Sequence, residues 1–279
     1  MRTFTFKGLF LTAVFMLLGC LSIQAANDDL ITKQITIELE KAGTLPDRIG
    51  SSRRYKITNL KIIGKINGTD WEMIRKMAGG YTYPIGELSV LDLSEAKIVE
   101  GGDYYYDDRW HHYYTSNDVI GSFAFKGCSK LTSLTLPAGI TSISDGAFRG
   151  CSGLTSLNLP ASITTIGWKA FEGCSGLTSI YVYAEKVPGI GSDAFKGCDA
   201  KKCILYVPKG TYDDYWLSDF GYFENIVEFD ATGIDKTTTS TDVEEVSRYS
   251  LNGQRLVGQT KGLNIVKYSD GSVKKVAVE

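Results

Sequence analysis

The side chains whose chemistry and spacing first suggest a site are cysteines that recur in the middle of the chain. They are Cys128, Cys151, Cys174 and Cys198. Zinc sites pair cysteines about two to four residues apart, and only Cys198 and Cys203, as C-x4-C, approach that spacing. Neighbouring thiols in a stack of repeats would lie within disulfide range, but parallel side chains seldom reach the required torsion angle. We therefore expect a column of buried free thiols, with a disulfide or a metal site as the alternatives.

Both histidines of the chain lie in one acidic and aromatic segment. His111 and His112 belong to GGDYYYDDRWHHYYTSND, part of an insertion at residues 99–118. Adjacent side chains rarely converge on one ion, so a metal site is the weakest interpretation. The insertion is either a surface loop without a ligand or a binding loop, because exposed aromatic rings give rigid contact area. The candidate partner-binding residues here are Tyr104, Tyr105, Tyr106, Trp110, Tyr113 and Tyr114.

No arrangement of residues indicates catalysis or a cofactor. Gly150-Cys151-Ser152-Gly153 lacks the G-x-S-x-G order of a nucleophile elbow, and the chain has no phosphate-binding or dinucleotide-binding glycine pattern. The net charge is −2, and no basic stripe points to nucleic acid. We therefore expect a protein that is not an enzyme, uses no cofactor or metal, and binds no nucleic acid.

A repeated sequence must position these residues. Residues 120–142 read IGSFAFKGCSKLTSLTLPAGITS, and further copies begin at Ile143, Ile166 and Ile190. The leading isoleucines are thus 23, 23 and 24 residues apart. A period in this range indicates a solenoid, because a single unit cannot bury its apolar face without a stacked neighbour.

Each position of the repeat has a structural role that its residue type suggests. An Ala-Phe pair and a Gly-Cys pair recur in all four copies, and we expect one or two helical turns there, with the Phe rings in one buried column. The strand that follows is predicted from an L-x-L alternation, as at Leu134 and Leu136. Proline, which lacks the N–H that a ladder needs, ends this strand in three copies, at Pro137, Pro160 and Pro208.

The outward residues of these strands form an expected repeat face. Along the stack they change from small and polar to aromatic, with Thr135, Asn158, Tyr181 and Tyr206 in successive coils. Because stacked strands lie about 4.8 Å apart, Tyr181 and Tyr206 should form one patch. An ordinary solvated β-face and a shallow binding surface both fit this pattern. We predict a partner site centred on these two tyrosines and extended by the 104–114 segment.

The repeat pattern I-x-x-x-A-F-x-G-C-x-x-L-T-S-L-x-L-P resembles the leucine-rich repeat, and within it the BspA-like class of bacterial surface proteins. The resemblance is specific over residues 120–210 and looser over 45–100, where Leu88, Leu91 and Leu93 form a degenerate first coil. It implies an α/β repeat solenoid, a right-handed coil of short strands and short helical turns that follows an N-terminal cap.

The resemblance also sets the expected domain boundaries. Residues 27–87 are predicted to form the cap, with a helix that starts at a capping box formed by Thr69-x-x-Glu72. Residues 88–230 are predicted to form the solenoid, interrupted by the insertion at 99–118. Residues 231–247 form a polar linker.

The N-terminus has the features of a processing signal. Arg2 and Lys7 precede a 13-residue apolar run that ends at Leu21, and Ala25-Ala26 follow. This pattern predicts a signal peptide at residues 1–26. The alternative is a lipoprotein signal in which Cys20 carries the lipid.

The C-terminus is predicted to form a small β-module at residues 248–279. Asn252-Gly253 and Asp270-Gly271 are hairpin turn signals flanked by apolar alternation. The segment resembles the C-terminal sorting signal of type IX secretion, although it is shorter than a full sorting domain.

The resemblance further implies a function. We expect an exported, non-catalytic adhesion module, secreted or at the cell surface, that binds host matrix or cell-surface partners through the repeat face. The alternative is a glycan-binding or structural envelope component. The partner is thus an extracellular protein or glycan, the chain is expected to be a monomer, and it would be held at a membrane, as an outer-membrane lipoprotein, only if Cys20 is lipidated.

Overall fold

The computed structural model describes residues 30–80 and 86–230, and beyond these the strands between residues 245 and 278. It divides into two compact units, residues 1–231 and residues 232–279. The predicted signal peptide and Cys20 lie outside the described residues, as does most of the predicted linker. Among the described residues, no helix is long and apolar enough to cross a membrane.

The first unit consists mainly of short strands. In chain order its helices and strands are β1 (Ile35–Leu39), α1 (Leu45–Arg48), β2 (Asn59–Ile66), α2 (Gly68–Met77), β3 (Val90–Asp92), β4 (Ala96–Ile98), β5 (Gly101–Asp107), β6 (His112–Thr115), β7 (Val119–Ile120), β8 (Ser133–Thr135), β9 (Ser142–Ile143), β10 (Ser156–Leu159), β11 (Thr165–Ile166), β12 (Ser179–Val182), β13 (Gly189–Ile190), β14 (Ile204–Pro208), α3 (Tyr212–Trp216), a 3-10 helix (Asp219–Tyr222) and β15 (Asn225–Phe229). Many short parallel strands and few helices form the predicted repeat solenoid.

One parallel ladder runs along the first unit, and we call its outer side the strand face. Strands β1, β2, β3 and β8 pair in that order, and so do β10, β12, β14 and β15. The two groups lie side by side, because the Thr155 N–H donates to the Thr132 carbonyl at 3.3 Å. Leu91 of the predicted degenerate coil pairs with Leu134 on one side and with Leu60 on the other.

The ladder therefore begins earlier than the predicted boundary at residue 88. Ile57, Leu60 and Ile62 are buried at the same i, i+3, i+5 spacing as Leu88, Leu91 and Leu93. Strand β2 is thus a coil of the stack, although the sequence analysis assigned it to the cap. Strand β1 pairs parallel with β2 and extends the ladder further still.

A second parallel ladder is formed by β7, β9, β11 and β13, the two-residue strands that contain the leading isoleucines. Between this ladder and the strand face run the turn segments, residues 121–128, 144–151, 167–174 and 191–198. In each pair of neighbours, three N–H groups of one segment donate to three carbonyls of the next at 2.6 to 3.1 Å. We call this third set of bonds the turn ladder.

The prediction of helical turns in these segments is wrong. Each segment is a run of hydrogen-bonded turns with two residues at positive φ, such as Lys169 at 52° and Gly173 at 75°. Positive φ interrupts a right-handed helix and swings alternate N–H groups outward, so that they bond to the next coil instead of to their own. Gly127, Gly150, Gly173 and Gly197 occupy the second of these positions in every copy, where a Cβ would be strained.

The conserved rings of the repeat stack as predicted. Phe125, Phe148, Phe171 and Phe195 form one buried column with ring centroids 5.0 to 5.3 Å apart. Trp71 covers the first ring at 5.2 Å, and Phe223 covers the last at 5.0 Å. The column is therefore closed by aromatic rings at both ends.

Helix α2 packs against the start of the turn ladder. It begins two residues earlier than the capping box at Thr69 predicted, because Asn67 is its N-cap and Asp70, not Glu72, completes the capping box. Trp71 and Arg75 lie on the face of α2 that contacts the first turn segment. The Trp71 Nε1–H donates to the Ala124 carbonyl at 3.1 Å, and the Arg75 guanidinium donates to the same carbonyl at 2.8 Å.

The insertion at 99–118 is a β-hairpin and not the loop that the sequence suggested. Strands β5 and β6 pair antiparallel, with Tyr106 opposite Tyr113. Tyrosine favours strands, and the segment packs beside α2, where Gly68 approaches the Asp103 carbonyl closely. We refer to residues 101–115 as the hairpin.

The second unit is a four-stranded antiparallel sheet. Its strands are β16 (Glu245–Ser250), β17 (Arg255–Leu256), β18 (Gly262–Tyr268) and β19 (Val273–Val278), in the spatial order β17, β16, β18, β19. The strands on either side of both predicted turn dipeptides pair antiparallel, as hairpin signals imply. Strand β16 starts inside the range that was predicted as linker.

Candidate functional site

The strand face carries four of the predicted site residues in one row. Thr135 and Asn158 are exposed, and Tyr181 and Tyr206 are half-buried, because inward neighbours such as Leu157 and Ile180 fill the core. Asn158 pairs in register with Tyr181, and Tyr181 with Tyr206. The row is therefore continuous across neighbouring strands, as the repeat spacing predicted.

The two tyrosines form a stacked pair. Their ring centroids are 4.3 Å apart and their planes differ by 4°, so each ring covers one face of the other. Partial burial, and then the neighbouring Tyr206, raises the pKa of Tyr181 above its ordinary value. The Tyr181 phenol is consequently neutral at physiological pH and can act as a hydrogen-bond donor and acceptor.

Two further aromatic residues enlarge this patch. Phe229 of β15 lies perpendicular to Tyr181 at 5.8 Å and to Tyr183 at 5.2 Å. Neither Phe229 nor Tyr183 was singled out from the sequence. A signal for Tyr183 exists, however, because it occupies the place where the other copies have the strand-ending Pro137, Pro160 and Pro208.

A cleft of about 410 Å³ opens beside the patch, at the carboxyl ends of the strands. Thr135 and Asn158 line it together with Tyr183 and the small residues Ala138 and Ala161. Its floor is apolar and its rim offers a hydroxyl and an amide. We call the cleft together with Tyr181, Tyr206 and Phe229 the aromatic site.

The opposite end of the strand face is charged. The Lys61 Nζ lies 2.6 Å from a Glu95 carboxylate oxygen and 3.5 Å from one of Asp92. Asp92 pairs in register with Thr135, so the face changes from ion-paired to polar to aromatic along the stack.

The hairpin presents a second aromatic surface, and its six candidate residues divide into three groups. Tyr104, Trp110 and Tyr114 are exposed, and Trp110 at the tip is 85% exposed. The Tyr104 ring stacks on His112 at 4.3 Å, with Tyr114 at its edge. These rings are accessible to a partner.

The inner side of the hairpin is occupied by packing contacts. Tyr106 and Tyr113 lie against Phe123 at 5.3 and 5.2 Å. The Lys126 Nζ donates to the Tyr106 hydroxyl at 2.8 Å, and the Arg75 guanidinium lies 4.8 Å from the Tyr106 ring centroid. These two tyrosines attach the hairpin to the first turn segment and offer a partner only their edges.

Tyr105 differs from the prediction, because its side chain is buried. Its hydroxyl donates to the Ser122 carbonyl at 2.9 Å, and burial raises the pKa of the phenol above its usual range. Strand alternation explains this, since Tyr104 and Tyr105 must point to opposite sides. Tyr105 therefore belongs to the interior and cannot present its ring to a partner.

The hairpin does not extend the aromatic site. It contacts Ser122, Phe123 and Lys126, which lie in a turn segment, whereas Tyr181 and Tyr206 lie on the strand face. The buried core, with Phe125 on the turn side and Leu134 on the strand side, separates the two. The hairpin and the aromatic site are thus separate aromatic surfaces on different sides of the stack.

The acidic residues at the hairpin tip hold the turn. Asp108 accepts hydrogen bonds from the Trp110 and His111 N–H groups at 3.1 and 2.9 Å and from the Tyr113 hydroxyl at 2.9 Å. Desolvation acts to raise the pKa of Asp108, but these hydrogen bonds outweigh it and lower the pKa to about 2. Among the described residues, no group of three or more His, Cys, Asp or Glu side chains could hold a metal ion.

The cysteine column is buried, as predicted. Cys151 and Cys174 donate their S–H groups to the Phe125 and Phe148 carbonyls of the preceding coil, at 3.0 and 3.1 Å. Burial raises the pKa of Cys128 to about 11 and that of Cys198 to about 12. The five described cysteines, which include Cys203, are free thiols.

Comparison with known families supports the repeat assignment. Residues 112–213 match the family described as BspA type Leucine rich repeat region, in six copies. The match includes every turn segment and four strands of the strand face, β8, β10, β12 and β14. No curated protein matches the chain significantly. Residues 112–213 are thus leucine-rich repeats of the BspA type, a repeat that suggests a protein-interaction module.

Proposed function

We propose that this chain is an exported, non-catalytic adhesion module that binds an extracellular protein through the aromatic site on its strand face. The observation that carries the proposal is the stacked pair of Tyr181 and Tyr206 beside a cleft lined by Thr135 and Asn158. Aromatic residues dominate the binding energy of protein interfaces when they sit beside a pocket that excludes water. Their rings also lose little conformational entropy on binding.

The ring geometry favours a protein partner over a glycan at this site. Stacking on a sugar needs an open ring face. Tyr181 and Tyr206 each cover one face of the other at 4.3 Å, and their in-register neighbours Asn158 and Val227 stand beside the remaining faces. The cleft of about 410 Å³ instead suits an apolar side chain. The two phenol hydroxyls can then bond to polar atoms around it.

A pair of double variants tests the proposal. Binding would be screened on an array of extracellular-matrix proteins and glycans, and then measured for each protein that binds. Tyr181→Ala with Tyr206→Ala should weaken binding at least tenfold, about 1.4 kcal/mol, with an unchanged melting temperature. Tyr181→Phe with Tyr206→Phe retains the stack and should lose less, while Tyr114→Ala on the hairpin is the control and should bind normally. Full binding by a folded double alanine variant would refute the site.

The hairpin favours a second candidate function, binding of a glycan as part of the envelope. Trp110 is 85% exposed, so that its indole offers the open face that a sugar ring needs. Trp110→Ala should then abolish glycan signals on the same array and leave signals from matrix proteins unchanged. Loss of both kinds of signal, or of neither, would contradict this alternative.

Export is part of the proposal and rests on sequence features. The apolar run before Ala25-Ala26 supports cleavage of a signal peptide, Cys20 offers lipidation instead, and the C-terminal segment resembles a type IX sorting signal. Intact mass of the protein purified from its own cells, together with protease accessibility on those cells, tests all three. A mass that includes residues 1–26, or a protein that protease cannot reach, would refute export.

A further inference from the structure

The two ends of the turn ladder are not equivalent, because the hydrogen bonds all run in one direction. In every neighbouring pair, N–H groups of the earlier coil donate to carbonyls of the later coil. The first turn segment therefore has three carbonyls without an earlier coil, and the last has three N–H groups without a later one. The carbonyls belong to Ser122, Ala124 and Lys126, and the N–H groups to Asp193, Phe195 and Gly197.

Side chains satisfy all three carbonyls at the first end. The Tyr105 hydroxyl donates to Ser122 at 2.9 Å, the Trp71 Nε1–H to Ala124 at 3.1 Å, and the Arg75 guanidinium to Lys126 at 3.4 Å. Three donors from two different elements thus replace the N–H groups of a missing coil. A second copy of this chain cannot stack its last coil here, because side chains of α2 and the hairpin cover these carbonyls.

The last end lacks such replacements in the described part of the chain. Within the described residues, the Asp193, Phe195 and Gly197 N–H groups donate no hydrogen bond. Phe220 and Phe223 cover the Phe195 ring at 5.7 and 5.0 Å, so the side-chain column is closed. The backbone edge beside it remains open.

This open edge lines a pocket. The pocket has a volume of about 460 Å³ and lies between the last turn segment and the 3-10 helix. Asp193, Phe195 and Lys196 form one wall, and Ser218, Asp219 and Tyr222 lie opposite. The Lys196 Nζ is 3.8 Å from an Asp193 carboxylate oxygen, so its charge is already partly balanced.

We infer that this pocket binds a peptide segment of a partner protein in the turn conformation of one further coil, so that its backbone carbonyls accept hydrogen bonds from the N–H groups at the open end of the turn ladder. The interior coils show which ligand fits. In each of them, three N–H groups of the earlier turn segment donate to three alternate backbone carbonyls of the later segment at 2.6 to 3.1 Å. Two carboxylates and one lysine give the pocket no excess of positive charge, so a neutral peptide backbone suits it better than a free anion. The binding mode is edge addition, in which main-chain hydrogen bonds supply the affinity.

Amide exchange in the full chain provides the first test. The Asp193, Phe195 and Gly197 amides should exchange at least about a hundredfold faster than Gly146, Phe148 and Gly150, their equivalents inside the ladder. Equal protection of both sets in the free protein would mean that the acceptors are already supplied, and would overturn the proposal.

Binding of a repeat-derived peptide provides the second test. The probe is Ser-Asp-Gly-Ala-Phe-Arg-Gly with blocked ends, the sequence of residues 144–150, titrated to about 5 mM because a few hydrogen bonds give millimolar affinity. It should shift the Phe195 and Gly197 amide signals and slow their exchange. No shift would overturn the proposal, as would equal shifts caused by sodium acetate, which would indicate an anion site.

Two tryptophan variants locate the site. Ser192→Trp fills the pocket, and the preceding coil already carries Trp168 at the equivalent position, so the fold should tolerate it. It should abolish the peptide-induced shifts. Ser175→Trp, at an exposed position of the preceding repeat, is the matched control and should leave them unchanged. Equal responses of both variants to the peptide would overturn the proposed location.

Discussion

Replacement of Phe148 by alanine tests the central packing feature of the solenoid. The ring is fully buried between Phe125 at 5.1 Å and Phe171 at 5.0 Å, with planes within 14° of both. Removing it takes away apolar contacts on both sides and leaves a cavity that two flat neighbours cannot easily fill. A large-to-small change of this kind costs about 3–5 kcal/mol.

Urea denaturation followed by circular dichroism measures that cost. With a slope of about 2–3 kcal/mol per molar, the loss corresponds to a midpoint lower by roughly 1–2.5 M. Phe148→Leu keeps most of the volume and should lose less than about 1.5 kcal/mol. Phe123→Ala, which removes a half-buried ring under the hairpin, should also lose less than Phe148→Ala.

The reasoning depends on the Phe148 ring being held rigidly on both sides. A loss below about 1 kcal/mol for Phe148→Ala would show that the column does not form or that its neighbours collapse freely into the gap. A cost for Phe123→Ala as large as that for Phe148→Ala would also contradict it, because the half-buried ring would then contribute as much as the stacked one.

Two further predictions concern thiols and pH. At pH 8 the native protein should react slowly with Ellman's reagent at Cys151 and Cys174, because burial raises the pKa of both thiols and their S–H groups are held by carbonyls; rapid labelling before unfolding would contradict this. Asp108 should titrate near pH 2 by carbon-detected NMR. Its pKa in the folded protein lies below the ordinary value of 3.8, so Asp108 stabilises the hairpin above pH 4 and loses this effect as the pH falls through about 2. A titration midpoint of Asp108 near 4 would contradict the observed hydrogen bonds.

The periodic part of the fold could be predicted because each residue of a repeat meets its own equivalent in the next coil. The Phe and Cys columns and the Tyr181–Tyr206 pair follow from register alone. The backbone conformation of the turn segments was predicted wrongly, because residue types alone do not determine it. Ala-Phe-x-Gly-Cys was expected to be helical, and the positive φ of Lys169 and Gly173, which aligns N–H groups with the next coil, overrides that preference.

The ends of the stack were harder to predict, because no neighbour repeats there. Tyr105 looked like one more exposed tyrosine, but strand alternation turns it inward, where its hydroxyl donates to the Ser122 carbonyl that no earlier coil reaches. The Ile57, Leu60 and Ile62 spacing was visible in the sequence, but it lies in a coil that lacks the Phe and Cys of the other copies. Tyr183 was missed although it lies inside a regular copy, because it stands where the other copies have a proline.

Because all hydrogen bonds of the turn ladder run in one direction, the number of coils can change without any change in the residues that close the two ends. A duplicated 23-residue unit placed at Ile143 would receive carbonyl acceptors from the coil after it and N–H donors from the coil before it. It would leave the donors Trp71, Arg75 and Tyr105 and the closing rings Phe220 and Phe223 untouched. The binding surface can thus grow by whole coils through tandem duplication, whereas moving the donor side chains of the first end to the last end would leave donors facing donors.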